Sequence, residues 1–516
     1  IENSHASTAL SYADGIAKAF RLSGQSGRHV IPIVGDGALT GGMSWEALNN
    51  IAASDDLPIV IVVNDNERSY SPTVGGVAHH LATLRTTKGY ESFLKWGKDV
   101  LQRTPVFGRP MFEALHGMKK GLKDMVSPQG MFEDLGLKYI GPIDGHNIEE
   151  ATKALALARG YGSPVIVHFI TEKGRGHAPA INDDAERFHA VKVIHPVTGE
   201  PLTAEAPTWT NAFSDEMVSI GRRRDDVVAI TAAMLGPTGL DAFASQFPDR
   251  IFDVGIAEQH AVASAAGLAY AGMHPVFAVY STFLNRAIDQ VVLDCAMHKA
   301  GVTFVLDRAG VTGDDGPSHH GIWDMAMLMP VPEVRIAAPR DAVVLKVLLG
   351  EALEVSDAPT VVRFPKGAVP EPIVAVDTVG GCDVLRACAQ PMVSIVAIGA
   401  MAHLALELAE ALAAEGIATR VIDPRWVKPL PQGVVTLTDG VPVVVVLEDG
   451  VKVGGVGSVV ATELSQMGST STVLAAGVPS EFFAHGKRAA VLANAGLSVE
   501  QLTQRVRSAV AAKLRN

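Results

Sequence analysis

Short apolar runs rich in β-branched residues recur along the chain, each separated from the next by a longer segment of helical period. In the first third they are "HVIPIVG" (29–35), "PIVIVVN" (58–64) and "PVIVHFIT" (164–171). A strand that is apolar on both faces must be covered on both sides, as parallel strands between helices are. The pattern therefore predicts an α/β fold with mostly parallel sheets. "DVVAITAA", "IFDVGIAE", "PVFAVYST", "VTFVLDRAG" and "TVVRFP" give a second set, and "VSIVAIG", "TRVIDP" and "PVVVVLED" a third. Polar, proline-bearing stretches at 195–209 and 364–372 punctuate the three sets. We expect three consecutive α/β domains: 1–195 with a Lys/Arg-rich helical insertion at 76–135, a linker at 196–208, then 209–366 and 373–516. A length of 516 residues is too great for a single core.

The net charge of −12 argues against a nucleic-acid surface or an anionic membrane face, both of which ask for clustered Lys and Arg. Cys295, Cys382 and Cys388 have neither metal-ligand spacing nor a disulfide framework, which points to a reducing compartment and a cytoplasmic location. The nearly uncharged stretch Ala261 to Tyr280 is broken by His274 and Pro275, so it reads as a buried helix followed by a strand and not as a membrane span. The chain opens on "IENSHASTAL" without an initiator Met, and an N-terminal segment is expected to be missing.

Chemistry gathers first in "IVGDGALTGG" (33–42), a strand running into a turn with an acid between two glycines. Such a turn could cradle a phosphate, hold a metal, present a catalytic carboxylate, or serve as a plain β-to-α turn in which Asp36 caps the next helix. The next strand, "IVIVVNDNERS", closes on Asn64, Asp65 and Asn66, and both strand ends would lie at the carboxyl edge of one parallel sheet, where open α/β sheets bind ligands. A carboxylate and an amide oxygen are hard donors that suit Mg²⁺, an ion that takes its remaining ligands from phosphates and water. A helix starting near Gly41 would aim its N-terminal dipole at a diphosphate.

GDG followed at this interval by an N-D-N strand end resembles the fingerprint of the transketolase-like thiamine-diphosphate enzymes. The resemblance implies thiamine diphosphate and Mg²⁺ as cofactors, the metal on Asp36, Asn66 and the main-chain carbonyl of Arg68, and the diphosphate against Gly35, Gly37 and Ala38. In the second set of strands, "DVGIAEQHAVASAAGLA" carries an acid at a strand end ahead of a small-residue helix, and Glu258 matches the family's activating glutamate, which bonds N1′ of the aminopyrimidine. An acid in such apolar surroundings has to be paired or protonated, and either state suits that bond.

The ordered motifs "SHAST", "GDGALTGGM", "NDN", "GPIDGH", "KGRGHAPA", "IAEQHA", "YSTFLNRAIDQ", "DRAG" and "RFPKG" narrow the resemblance to the 1-deoxy-D-xylulose-5-phosphate synthases. That family condenses pyruvate with D-glyceraldehyde 3-phosphate and releases CO₂, so the resemblance implies a transferase opening the non-mevalonate isoprenoid route, acting as a homodimer on small-molecule substrates. Carried over residue by residue, Phe283 corresponds to the ring stacked on the aminopyrimidine, Lys173 to a lysine near the diphosphate, and His5 to a histidine near the thiazolium. Tyr280, Arg286, Asp315 and His319 match the acceptor channel, and Arg308 with Arg363 or Lys366 matches the grip on the acceptor's phosphate. Guanidinium forks suit that task because their bonds to phosphate oxygens are charge-assisted. His319 or His5 would donate a proton during condensation, completing a catalytic set with Glu258 and Asp315. Another transketolase-like enzyme, or a homologue without catalysis, would share GDG and the glutamate. His177, Ile181, Arg68 and Tyr70 depart from the family's usual residues, and family members carry a further segment ahead of "SHAST".

Overall fold

The computed structural model describes residues 3–515, apart from 26, 55, 87–129, 185, 192 and 203–205. Most of the insertion expected at 76–135 therefore lies outside the described residues; at its flanks the helices Gly75–Thr86 and Gly130–Asp134 are formed. One compact unit runs to Leu202 and takes in Gly255–Ala257, and a second holds the rest.

The first unit is built on a four-stranded parallel sheet of β1 (Ile33–Gly35), β2 (Val60–Asp65), β3 (Lys138–Asp144) and β4 (Val165–Ile170), in the order β1-β2-β4-β3. One face packs Leu10, Ala13, Leu48 and Ile51 from the helices Ala9–Leu22 and Gly42–Ala52 against Ile61 and Val63. The other packs Ala154 and Ala158 of the helix Ile148–Arg159 against Val60, Val62, Val165 and Val167. Burial from both sides is why these strands carry unbroken apolar runs. The strand β3 was not expected from its composition: Gly141-Pro142 interrupts "KYIGPID", and its register with β4 slips between Ile140 and Ile143.

The second unit holds two sheets. Strands β5 (Val227–Thr231), β6 (Ile251–Asp253), β7 (His274–Tyr280), β8 (Thr303–Asp307), β9 (Arg335–Ala337) and β10 (Thr360–Arg363) are parallel, and β7 follows the helix Glu258–Tyr270 as the sequence predicts. The remaining strands are β11 (Asp377–Val379), β12 (Cys382–Arg386), β13 (Val393–Ala397), β14 (Thr419–Asp423), β15 (Trp426–Lys428), β16 (Val443–Val451) and β17 (Thr472–Val478). The sheet orders are β15-β9-β10-β8-β7-β5-β6 and β11-β12-β14-β13-β16-β17. β15 thus leaves the third segment of the chain to pair antiparallel with β9 at the edge of the second sheet. The helices Trp209–Arg223 and Ala342–Leu353 bury Phe213, Met217, Leu345 and Leu348 on the second sheet, and Ala402–Ala414 with Val499–Arg515 bury Leu408, Leu412, Leu502 and Val506 on the third. The architecture is α/β with mostly parallel sheets, as the strand pattern predicts. Among the described residues no helix is long and apolar enough to cross a membrane.

Candidate active site

In the first unit the register of β1 on β2 sets Gly35 opposite Asn64, which brings the GDG turn and the NDN strand end side by side. Asp36 is buried there, but not as a helix cap: its side chain makes no capping bond. Instead Oδ1 accepts from the backbone N–H of Asn66 at 3.3 Å and Oδ2 from the Thr73 hydroxyl at 2.5 Å. Burial raises the Asp36 pKa and the neighbouring Asp65 adds to the rise, while the Thr73 bond opposes it. Asn66 Oδ1 accepts from the Arg68 N–H at 3.2 Å, which folds the loop back on itself. Gly37 lets the turn pack closely on the NDN loop, since a Cβ there would stand 3.2 Å from that of Ser69. Ala38 is fixed through its carbonyl, which accepts from the hydroxyls of Ser7 and Ser44, both at 2.7 Å. The Ser7 bond also stitches the half-buried His5 segment onto the GDGALT loop.

Lys173 donates to the Ser69 carbonyl at 2.5 Å and to Nδ1 of His189 at 2.7 Å. Burial, assisted by Arg68, lowers the Lys173 pKa to about 8. Burial and then the lysine's charge push His189 down to about 4, so the imidazole is neutral near pH 7 with Nδ1 as the acceptor. Its ring lies 4.0 Å from that of Tyr70, tilted by 43°. Beneath the loop, His168 Nε2 meets Asp65 Oδ2 at 2.9 Å and His168 Nδ1 meets the Tyr139 hydroxyl at 2.6 Å, so the middle residue of NDN is committed to a buried network.

In the second unit the relevant side chains gather at the carboxyl edge of the β5–β10 sheet. Glu258 begins the helix Glu258–Tyr270 and is 4% exposed; burial raises its pKa, and the charge of Arg286 partly offsets this. Tyr280 ends β7, and Phe283, one turn on, stacks with it at 5.8 Å and 14°. His319 stands edge-on to Phe283 at 5.5 Å. Arg308 follows β8 in a left-handed conformation (φ 58°) that lays its guanidinium 4.0 Å over the Tyr280 ring. Its Nη1 meets Asp315 at 2.9 Å, and Lys366 meets the other oxygen of Asp315 at 2.6 Å. Burial alone would raise the Asp315 pKa, but the bond from Lys366 and the charge of Arg308 outweigh it and hold the carboxyl low.

Three family models match the chain: 1-deoxy-D-xylulose-5-phosphate synthase over residues 1–171, the transketolase pyrimidine-binding domain over 205–372, and the transketolase C-terminal domain over 382–502. The chain is 60% identical over 513 residues to 1-deoxy-D-xylulose-5-phosphate synthase 2 of Streptomyces coelicolor, covering 99% of this chain and 80% of the relative. The chain belongs to the 1-deoxy-D-xylulose-5-phosphate synthase family. It is 56% identical to the synthase of Thermobifida fusca, over 99% of this chain and 81% of that one. Among solved structures, the transketolase of Campylobacter jejuni aligns over 97% of this chain and 81% of its own with a TM-score of 0.51 at 17% identity, which speaks for the fold alone. As a member of this synthase family the chain is a transketolase-type transferase that condenses pyruvate with D-glyceraldehyde 3-phosphate to 1-deoxy-D-xylulose 5-phosphate and CO₂. Membership implies thiamine diphosphate as the cofactor.

For a synthase of this kind the sequence reading needs one correction and one addition. Arg363 does not reach toward an acceptor: it is 4% exposed, with Nε on Asp324 at 2.6 Å and Nη1 on Asp449 at 3.0 Å. Burial works against its charge, but the two carboxylates hold its pKa above the ordinary value, so this arginine is committed to structure while Lys366 joins Arg308 through Asp315. The addition is His189, which the sequence reading passed over because a lone histidine at the start of a polar stretch carries no periodic or spacing signal. His80 packs half-buried against Phe132, with the ring centroids 6.0 Å apart.

Proposed function

We propose that the synthase reaction in this chain is carried by two residue sets. In the first, Asp36, Asn66 and the main-chain carbonyl of Arg68 hold Mg²⁺, and Gly35, Gly37, Ala38 and Lys173 receive the diphosphate. The donor set suits that ion: one buried carboxylate with amide and carbonyl oxygens leaves positions for phosphate and water. When bound, thiamine diphosphate supplies a nucleophilic carbon and an electron sink for decarboxylation. In the second set, Glu258 bonds the aminopyrimidine, for which a buried acid with a raised pKa is suited, and Phe283 packs on its ring. Arg308 and Lys366 hold the acceptor's phosphate, with Asp315 spacing the two cations. Tyr280 forms the floor under Arg308, and Arg286 keeps the charge of Glu258 in play. His319, with His5 as the other candidate, delivers a proton to the oxygen formed from the aldehyde.

The observation that supports this reading is the unbroken series Lys366, Asp315, Arg308, Tyr280, Phe283 and His319, each in contact with the next, the last pair meeting edge-on with ring centroids 5.5 Å apart. A cation pair at one end and an imidazole at the other match an aldehyde that bears a phosphate. The test is Arg308→Ala. Loss of a charge-assisted contact worth about 1.5 to 3 kcal/mol lowers kcat/KM for glyceraldehyde 3-phosphate roughly ten- to a hundred-fold. Unphosphorylated glyceraldehyde, which offers the arginine nothing to hold, reacts equally with variant and parent. An equal loss on both aldehydes would remove Arg308 from phosphate recognition.

The enzyme acts, in the same reading, as a homodimer in the cytoplasm. A second copy suits the face where Tyr270, Leu293 and Met297 are exposed beside the small residues Ala263 and Gly267, since exposed apolar patches mark contact surfaces. The three free cysteines suit a reducing compartment.

A further inference from the structure

The loop that leaves β8 carries Arg308, Asp315 and His319, and the third sheet grips its far side. Gly310 has φ +73°, and a Cβ on it would lie 2.1 Å from Oδ2 of Asp449, at the buried end of β16. Glycine is needed there because a carboxylate from the third sheet occupies the space a side chain would take. Asp449 is itself clamped, Oδ1 accepting from Arg363 at 3.0 Å and Oδ2 from Arg488 Nη2 at 2.8 Å. Arg488 then reaches back to the loop, its Nε donating to the Val311 carbonyl at 3.0 Å. A few residues further on, the Gly486 N–H donates to the Gly313 carbonyl at 3.2 Å, and a Cβ on Gly313 would stand 2.9 Å from the backbone N of Arg488. Arg488 therefore binds a carbonyl of the loop and the carboxylate beneath it with a single guanidinium, three residues from Arg308 along the chain.

We propose that Arg488, acting with Asp449, is a positioning residue for the acceptor-phosphate cluster. It touches neither substrate nor cofactor in this assignment. By tying the Val311 carbonyl to Asp449 it fixes the left-handed turn at Arg308 and Gly310 from which the guanidinium is aimed, and the third sheet thereby sets acceptor affinity. Preorganisation of this kind lowers the cost of ordering a binding group and is felt in the step that uses that group. The inference rests on the reading that Arg308, Asp315 and Lys366 hold the phosphate.

The experiment compares Arg488→Met, Arg488→Lys, Arg308→Ala and the double variant Arg308→Ala/Arg488→Met in the full chain, assayed with glyceraldehyde 3-phosphate and with unphosphorylated glyceraldehyde. Arg488→Met raises KM for the phosphorylated aldehyde by about ten-fold, leaves kcat and the KM for pyruvate within about two-fold, and leaves the unphosphorylated aldehyde untouched. Arg488→Lys keeps the pair with Asp449 but lacks the fork that also serves Val311, and falls between parent and Met. The double variant is no worse toward the phosphorylated aldehyde than Arg308→Ala alone, because the positioned group is already gone. Losses shared by both aldehydes, or effects that multiply in the double variant, overturn the inference. If Arg488→Met does not fold, Arg488→Lys is read by the same aldehyde ratio, and a ratio equal to the parent's overturns it. If Arg308→Ala itself fails to distinguish the aldehydes, the phosphate assignment has failed; if it distinguishes them and the Arg488 variants do not, only the positioning role has.

Discussion

Asp36 illustrates how one residue type serves different ends in the same local sequence. A carboxylate just ahead of a helical turn ordinarily caps it, and here that bond is absent. Its oxygens instead tie the NDN loop and Thr73 together, and the desolvation that raises its pKa is what a bound cation would relieve. If Asp36 holds the metal as proposed, its removal would leave metal and diphosphate charge poorly compensated. Asp36→Ala is expected to abolish the Mg²⁺ dependence of thiamine diphosphate binding, measured by titration calorimetry with and without the metal. Unchanged affinity in the variant would take Asp36 out of the metal set. The adjacent motif residues divide their work in a way that letters alone do not reveal. Asn64 accepts from Thr171 at 2.7 Å and Asp65 is held by His168, so two of the three NDN side chains brace the strand end and only Asn66 faces the role that the resemblance assigns to it.

At the scale of elements, what the sequence made legible were strands buried on both faces, because continuous apolar, β-branched runs leave little else to form: β2, β4, β5, β7, β8, β13 and the start of β16 all fall on expected runs. Missed elements have other physics. β3 is interrupted by Gly-Pro, β15 has three residues and exists through its pairing with β9, and β11 is a short exposed edge. The candidate site was legible where motifs sit at strand ends, and not where loops remote in sequence converge, as with Lys173 and His189 or Asp449 and Gly310. His274 at the head of β7 shows what periodicity hides. It fits an apolar strand, yet it is buried with Nε2 against the Thr303 hydroxyl at 2.9 Å. Burial, followed by the charge of Arg224, lowers its pKa from 6.5 to about 4. The folded state then binds fewer protons than the unfolded one, so the stability linked to His274 is complete above pH 6.5 and is lost as pH falls toward 4, at up to about 1.4 kcal/mol per pH unit. Glu448 runs the other way: burial raises it to about 7, and its linked stability is present below 4.5 and declines as pH rises to 7. The parent profile mixes the two, so the check is a difference: urea unfolding of His274→Gln and parent across pH 4 to 7 should show the variant with the shallower acid loss, and parallel curves would count against the buried neutral imidazole.

At the scale of the whole second unit, two mostly parallel sheets with separate cores are joined by charge as well as by the β15 exchange. Arg340, between β9 and the helix Ala342–Leu353, is 4% exposed and sends Nη1 to Asp383 of β12 and Asp423 of β14, both at 2.7 Å, while Nε donates to the Ile373 carbonyl at 3.1 Å. Burial raises Asp423 to about 6 even with the arginine bonded to it, which means the carboxylate depends on that partner to stay charged. A buried carboxylate and a half-buried one served by one buried cation cannot be handed to water without cost, and breaking the buried Arg340–Asp423 pair by deleting one partner is destabilising by about 3 to 5 kcal/mol. Because Asp383 and Asp423 lie in the third sheet and Arg340 on the second, that loss falls on both sheets together and not on the one that holds the altered residue. Arg340→Ala is therefore expected to lower amide protection in β8, β10, β13 and β16 alike, by a similar free energy, when followed by native-state hydrogen exchange. Loss of protection in the third sheet alone would mean that the two sheets open separately and that the ion cluster merely decorates their boundary. The same variant should respond to pH in a defined direction: freed of its partner, Asp423 takes up a proton more readily, so the deficit of Arg340→Ala relative to the parent should shrink as pH is lowered through about 6. A deficit that stayed constant between pH 8 and 5 would assign the loss to packing of the arginine stem and not to its charge.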